Sequence, residues 1–330
     1  MARLVCLCLA GVLLLSAATY AADVTVNGYV QYLYSAKQKT DPSTNFGLQA
    51  ARLRGTCKIT DKISAYVLID GARSLSILEA NVDYIHAPFL TVRFGQFLVP
   101  FGYESQNANF DVEAVERSQI VSAVWYNGST YGYLRDQGLM VMGQHMLFNY
   151  KLACVNGSGL NTSDNNNHKD IVGRFGVGIP MFAGLGVSVL RGQWPNGLDC
   201  QDRNALSFDL YLDTGKVLIE AEYISADGMI GPTDMIDPKH PAYAASDTKF
   251  GGYYAILGYR VTPLIEPVFK YDKFDRDKDN DDDSTVMTNM YVGVNLNFEG
   301  KARLQMFYKI VGETPSVDNN QLLVQVKAKF

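Results

Sequence analysis

The residues most able to do chemistry in this 330-residue sequence are cations placed at alternate positions. Arg52, Arg54 and Lys58 share one side of an alternating segment, and Arg93, Arg174, Lys301, Arg303, Lys309, Lys327 and Lys329 hold the same polar parity in theirs. Three cations on one face of one strand need water, so that face meets neither lipid nor a dry core. Lining an aqueous passage, they would raise the local concentration of anions. Glu79, Asp83, Glu220, Glu222, Glu266 and Asp272 stand at equivalent parity, so an ordinary polar wall of mixed sign is the competing reading.

Catalytic chemistry finds little support. There is no nucleophile elbow and no phosphate loop. His86, His145, His168 and His240 are scattered without metal-ligand spacing. The run from Asp275 to Asp283 mimics the start of a calcium loop, but Asn280 stands where the sixth-position Gly belongs and Val286 where the twelfth-position Glu belongs. It reads as a solvated external loop, with divalent ions bridging to lipopolysaccharide as the alternative. No enzyme, cofactor or metal site is expected.

The elements that would position these cations are strands. Tyr numbers 20, Phe 16 and Gly 29 against 2 Trp, a balance that favours β structure. Charged residues make up 19% and no internal run of twenty apolar residues occurs, which argues against helical membrane spans after the N-terminus. A Tyr-rich, Gly-rich, moderately polar chain suits a transmembrane barrel, half of every strand facing water and half lipid. Met1-Ala2-Arg3, the apolar stretch from Leu4 to Leu15 and the small residues from Ser16 to Ala22 read as an export signal over residues 1–22. Thr19/Ala21 and Ser16/Ala18 both offer a cleavage pair. Cys6 and Cys8 would leave with it; Cys57, Cys154 and Cys200 imply no disulfide framework. Without Arg3 the 29 cations become 28 against 34 acids, a mild negative balance that gives no case for nucleic acid.

From residue 23 to 330 the alternation recurs in segment after segment. Short turns such as Thr60-Asp61-Lys62, Ala87-Pro88-Phe89 and Glu299-Gly300 take turns with longer polar connections, the asymmetry of outer-membrane barrels. The count is about sixteen strands, even and antiparallel, in one all-β barrel domain. Tyr34, Phe46, Phe148, Tyr271, Phe298 and Phe330 fit interfacial girdles. One connection stands apart: between Phe101 and Arg135 about thirty residues intervene, far above the usual length. A sixteen-stranded lumen is too wide for side chains to fill. Asn107 to Leu134 is therefore expected to fold inward and narrow it.

Gly95-Gln96-Phe97-Leu98-Val99-Pro100-Phe101-Gly102-Tyr103-Glu104, followed by Glu116-Arg117-Ser118 and Arg135-Asp136-Gln137-Gly138, resembles the phosphate-selective porin O and P family. Ala51-Arg52-Leu53-Arg54-Gly55 and Asn156-Gly157-Ser158-Gly159 extend the resemblance. It implies a homotrimeric barrel of the bacterial outer membrane, set in lipid and lipopolysaccharide, whose third external loop enters the lumen and whose basic residues guide anions. On that basis Arg52, Arg54, Lys58, Arg93, Arg117, Arg135, Arg174 and Arg303 are the expected pore-lining guides, and Glu104, Asp111, Glu113 and Glu116 the acids of the constricting loop. The expected function is passive diffusion of small hydrophilic solutes with anion preference, for phosphate or a similar ion. The loop itself carries no dense basic run. A surface adhesin built on a barrel and a secreted soluble β-sandwich are the rivals.

Overall fold

The computed structural model describes residues 23–126, 134–164, 167–193, 202–228, 249–280 and 283–330. The export signal, Cys200 and most of the connections at 194–201 and 229–248 lie outside them. Alternation becomes strand at β1 (Asp23–Lys37), β2 (Thr44–Lys58), β3 (Ile63–Asp70), β4 (Ser76–Ala87), β5 (Leu90–Leu98), β6 (Arg135–His145), β7 (Phe148–Val155) and β8 (Asp170–Ile179). It continues through β9 (Ala183–Gln193), β10 (Asp202–Asp213), β11 (Val217–Asp227), β12 (Lys249–Tyr259), β13 (Ile265–Asp275), β14 (Val286–Phe298), β15 (Ala302–Gly312) and β16 (Gln321–Lys329). Each strand pairs antiparallel with the next, and β1 pairs with β16 to close the barrel. Gly28 and Phe330 exchange backbone hydrogen bonds of 3.1 and 3.0 Å at the closure, so no edge is left open there.

Closure is what lets these strands cross a membrane, because it leaves no edge strand whose backbone donors and acceptors would face lipid unpaired. Among the described residues no helix is long and apolar enough to span. Along β15, Met306 and Tyr308 are exposed while Gln305 and Phe307 are buried. Register continues that pattern around the wall: Gln305 opposes Asn295 on one side and Gln325 on the other, and all three are buried. The apolar exposed parity faces lipid and the amide parity faces the lumen.

The main buried apolar cluster lies inside the barrel. Val99, Phe101, Val115, Ile120 and Val124 from the long connection pack with wall residues such as Phe97, Tyr254, Phe274 and Tyr291. Among its described residues that connection supplies one helix, α1 (Gln119–Tyr126), and two short 3-10 turns at Glu104–Gln106 and Asn109–Asp111. Residues 127–133 lie outside the description.

Candidate functional site

The inserted loop is built from its first turn. Gly102 has a φ of +75°, and a Cβ there would stand 2.6 Å from Glu222 Oε1, so the chain can turn inward here only without a side chain. The freed backbone donors meet the far wall. Gly102 N donates to Ser188 Oγ at 3.0 Å on β9. Tyr103 N and Glu104 N donate to the two oxygens of Glu222 on β11, at 2.9 and 3.1 Å. Ser207 Oγ adds a bond of 2.7 Å to the same carboxylate.

The next ties are charged. Glu104 and Lys270 are 1% and 0% exposed and pair at 3.2 Å. Glu104 also accepts from Ser118 N at 2.8 Å, while Lys270 Nζ donates to the Glu116 carbonyl at 3.0 Å. Arg117 clasps the loop from within, donating to the carbonyls of Glu104 and Asn107 and to Asn109 Oδ1. Gln119 N, at the start of α1, donates to Asp272 Oδ2 at 2.8 Å.

Segment 109–116 lies along β14 to β16 with its carbonyls turned to the wall. Lys327 Nζ donates to the carbonyls of Asn109, Phe110 and Val112 at 3.0, 3.4 and 3.0 Å. The amides of Asn295 and Gln305 both donate to Glu113 O, and that of Gln325 to Val115 O. Glu113 pairs with Arg303 and Glu116 with Lys309, each at 2.9 Å, and Tyr291 OH donates to Glu116. Burial works against the charge on Glu116, yet Lys309 and Tyr291 hold its carboxyl below the usual range. At Glu113 burial outweighs Arg303 and pushes the carboxyl up.

A cavity of about 790 Å³ remains between this loop, β1 to β4 and the β14 to β16 side, at the end of the barrel that carries the longer connections. Its charged lining is unbalanced: Arg52, Arg73, Arg117, Arg276, Lys309 and Lys327 against Asp70, Glu116 and Glu313. Three of the loop acids expected at the constriction do not face it freely. Glu104, Glu113 and Glu116 are bound to wall cations, and Asp111 alone of the four is exposed.

The expected guides occupy the lumen side, but most are ion-paired, unlike a row of free charges. Arg52 pairs with Asp70 at 2.9 Å, Arg93 with Asp83 at 2.7 Å, Arg135 with Glu79 at 3.0 Å and Arg174 with Asp209 at 2.5 Å. Arg54 has no carboxylate partner among the described residues and lies over the Tyr66 ring, 5.4 Å from its centroid. Lys58 is exposed beside Asp61 at the short-turn end, away from the cavity. The structure brings Arg52 and Arg117 to the cavity, with Arg303 behind the loop.

Sequence reasoning passed over Lys270, Lys151 and Arg203, although strand parity could have found them. Lys270 shares the parity of Glu266 and Asp272. Lys151 donates to Gln106 Oε1 of the loop at 3.2 Å. Arg203, fully buried, pairs with Asp170 at 2.6 Å and donates to Gly157 O. Gly157 has a φ of +80° and its N donates to Asp136 Oδ2, which explains why the Arg-Asp-Gln-Gly and Asn-Gly-Ser-Gly runs belong together. Arg73 and Arg276 sit in connections, where no period points to them. Among the described residues no cluster of His, Cys, Asp and Glu could hold a metal.

A closed sixteen-stranded barrel, apolar outside and polar within, narrowed by an inserted loop, defines an outer-membrane channel of the porin class. The chain belongs to the phosphate-selective porin O and P family, whose sequence profile matches residues 23–191. Comparison with curated protein sequences gives no significant match. Solved structures agree on the fold. An OmpF of Salmonella typhi in complex with daunomycin has a TM-score of 0.69 at 12% identity, over 93% of this chain and 97% of that one. An anion-selective porin from Comamonas acidovorans has 0.68 at 14%, over 93% and 99%. The trimer form of OmpT from Vibrio cholerae has 0.62 at 13%, over 93% and 99%.

Proposed function

We propose that this porin is a passive, anion-preferring diffusion channel for small hydrophilic solutes, working as a homotrimer in the outer membrane. The observation that carries the reading is the cavity's charge: six cations against three acids, on a chain whose formal net charge is −5. Positive potential is thus concentrated at the mouth of a mildly acidic molecule, and a low-dielectric wall focuses it on entering ions. Arg52 and Arg117 act at this mouth, while Arg93, Arg135, Arg174 and Arg303 shape the wall mainly through their ion pairs. Residues 1–22 serve as the export signal, and lipid and lipopolysaccharide surround the exposed apolar face.

The anion-selective character of the Comamonas porin and the trimer form of OmpT support the reading by likeness of fold. The family and the architecture favour a channel over an enzyme. Liposome swelling tests it. Vesicles carrying the purified protein should swell faster in an isotonic organic anion than in an organic cation of equal size. Equal rates, or none above protein-free vesicles, would reject it.

A further inference from the structure

We infer that one side of the barrel's short-turn end is sunk in lipid. The turns joining β4 to β5, β6 to β7 and β8 to β9 sit among phospholipid acyl chains of the inner leaflet, while the turns across the lumen stand in periplasmic water. Such a seat is independent of which ion the barrel passes.

Turns that end strands in water are ordinarily polar, with Gly or Asn where φ is positive. Part of this rim obeys: Asp61 and Lys62, Thr214 and Lys216, and Glu299 and Lys301 are all exposed. The rest does not. Phe89, Met146, Leu147, Met181 and Phe182 occupy the three turns, each between 46% and 89% exposed. No Asp, Glu, Lys or Arg occurs in 84–92, 141–150 or 175–190. Met146 and Met181 hold the left-handed backbone, at φ of +52° and +61°, where the charged turns use Gly215 and Gly300. An apolar side chain thus stands where the backbone favours Gly or Asn, and contact with an apolar phase accounts for it.

The three turns form one strip. Gln144 N donates to Pro88 O at 3.0 Å and Gly178 N to Leu147 O at 2.8 Å, which stitches neighbouring turns side by side. The strip continues onto the lipid-facing wall through Ile179 and through Phe148 and Phe175, whose rings stack 5.9 Å apart. His86 and His145 flank it, exposed, and can turn a polar edge to the headgroups. An apolar surface continuous with the lipid face fits lipid better than a periplasmic protein, which would meet the end of the barrel and not its wall. Strand height points the same way. At about 3.4 Å per residue and a tilt of about 40°, the 8 residues of β7 rise about 21 Å, short of an apolar band about 25 Å tall. Across the lumen, the 13 residues of β14 rise about 34 Å and carry their turn clear of it.

The test uses the purified full chain, as single variants, in phosphatidylcholine vesicles with or without bromine on the acyl chains. Tryptophan fluorescence is read above that of the parent's two tryptophans. The emission added by Leu147→Trp should be mostly lost in brominated lipid and kept when iodide is present on both sides of the membrane. Lys301→Trp, on the charged turn across the lumen, should show the reverse. Phe182→Trp should repeat the Leu147→Trp result at the next turn, so that failure of one variant to fold leaves the other. Iodide quenching Leu147→Trp and Phe182→Trp as strongly as Lys301→Trp overturns the inference. Shielding from iodide without quenching by brominated lipid also overturns it, assigning the rim to contact with a second copy of the chain, as does brominated lipid quenching all three alike.

Discussion

Replacing Lys270 by Met should loosen the inserted loop without opening the barrel. Lys270 Nζ meets Glu104 at 3.2 Å and Glu116 O at 3.0 Å, with both partners of the ion pair out of solvent. Removing one partner of a buried pair costs about 3–5 kcal/mol, because the remaining charge is stranded. At about 1.4 kcal/mol per factor of ten, the docked loop's advantage over a partly released one should fall by roughly 10² to 4 × 10³. Other ties persist, among them Glu222 to the backbone of Tyr103 and Glu104 and the Glu113–Arg303 pair, so release should be local and transient. Single-channel recording of Lys270→Met should show flicker to a larger conductance level, while resistance of the folded barrel to heat in detergent is unchanged. Adding Glu104→Leu removes the stranded carboxylate and should restore most of the steadiness, short of about 1 kcal/mol for the lost bond from Ser118 N. Steady parental current in Lys270→Met, or a double variant as noisy as the single one, would refute this account of how the loop is held.

Three further outcomes follow from the same contacts. Glu116 is held below the usual carboxylate range, so its contribution to loop docking should be complete above its ordinary value of about 4.3 and lost as pH falls below it. Glu113, pushed up by burial, takes its proton at higher pH in the docked loop, and docking gains from that step. Current noise titrated from pH 7 to 3 should therefore rise only in the acid range below pH 4 and lose that rise in Glu116→Gln; noise already rising above pH 6 would contradict the assignment. Arg52→Glu sets a carboxylate against Asp70 and should destabilise the barrel by about 3–5 kcal/mol, whereas Arg54→Glu, at a position without an acidic partner among the described residues, should cost much less; urea unfolding in vesicles separates the two. Met306, 36% exposed on the lipid face, should cost about 2–4 kcal/mol as Met306→Arg, and the same substitution having no effect in lipid would argue that this parity does not meet the bilayer.

The period-2 pattern was enough to read the strands, because burial on one face and exposure on the other leave a trace in every segment. The terminal segments illustrate it: Gln321, Gln325 and Lys327 against Leu322, Val324 and Val326 defined β16, whose partner across the closure is β1. Charge pairing was harder. Arg93 and Asp83 face each other across the short turn at Pro88, and register counted from that turn would have placed them together. Arg174 and Asp209 lie on strands that are not neighbours, so nothing local in the sequence relates them. The loop was legible in its length alone. Its acids carry no period, and that Glu104, Glu113 and Glu116 turn to the wall depends on Lys270, Arg303 and Lys309, which only the closed barrel brings within reach.

The most direct measurement is the zero-current potential of the reconstituted protein under a tenfold KCl gradient. The cavity holds three more cations than acids. At about 7 Å in water each unit charge contributes roughly 0.6 kcal/mol, about half of which survives screening at 0.1 M salt. Opposite effects on chloride and potassium then give a permeability ratio on the order of ten in favour of chloride. A potential of the sign set by chloride is the predicted result; one of the sign set by potassium would contradict the claim that a cationic mouth governs what this barrel passes.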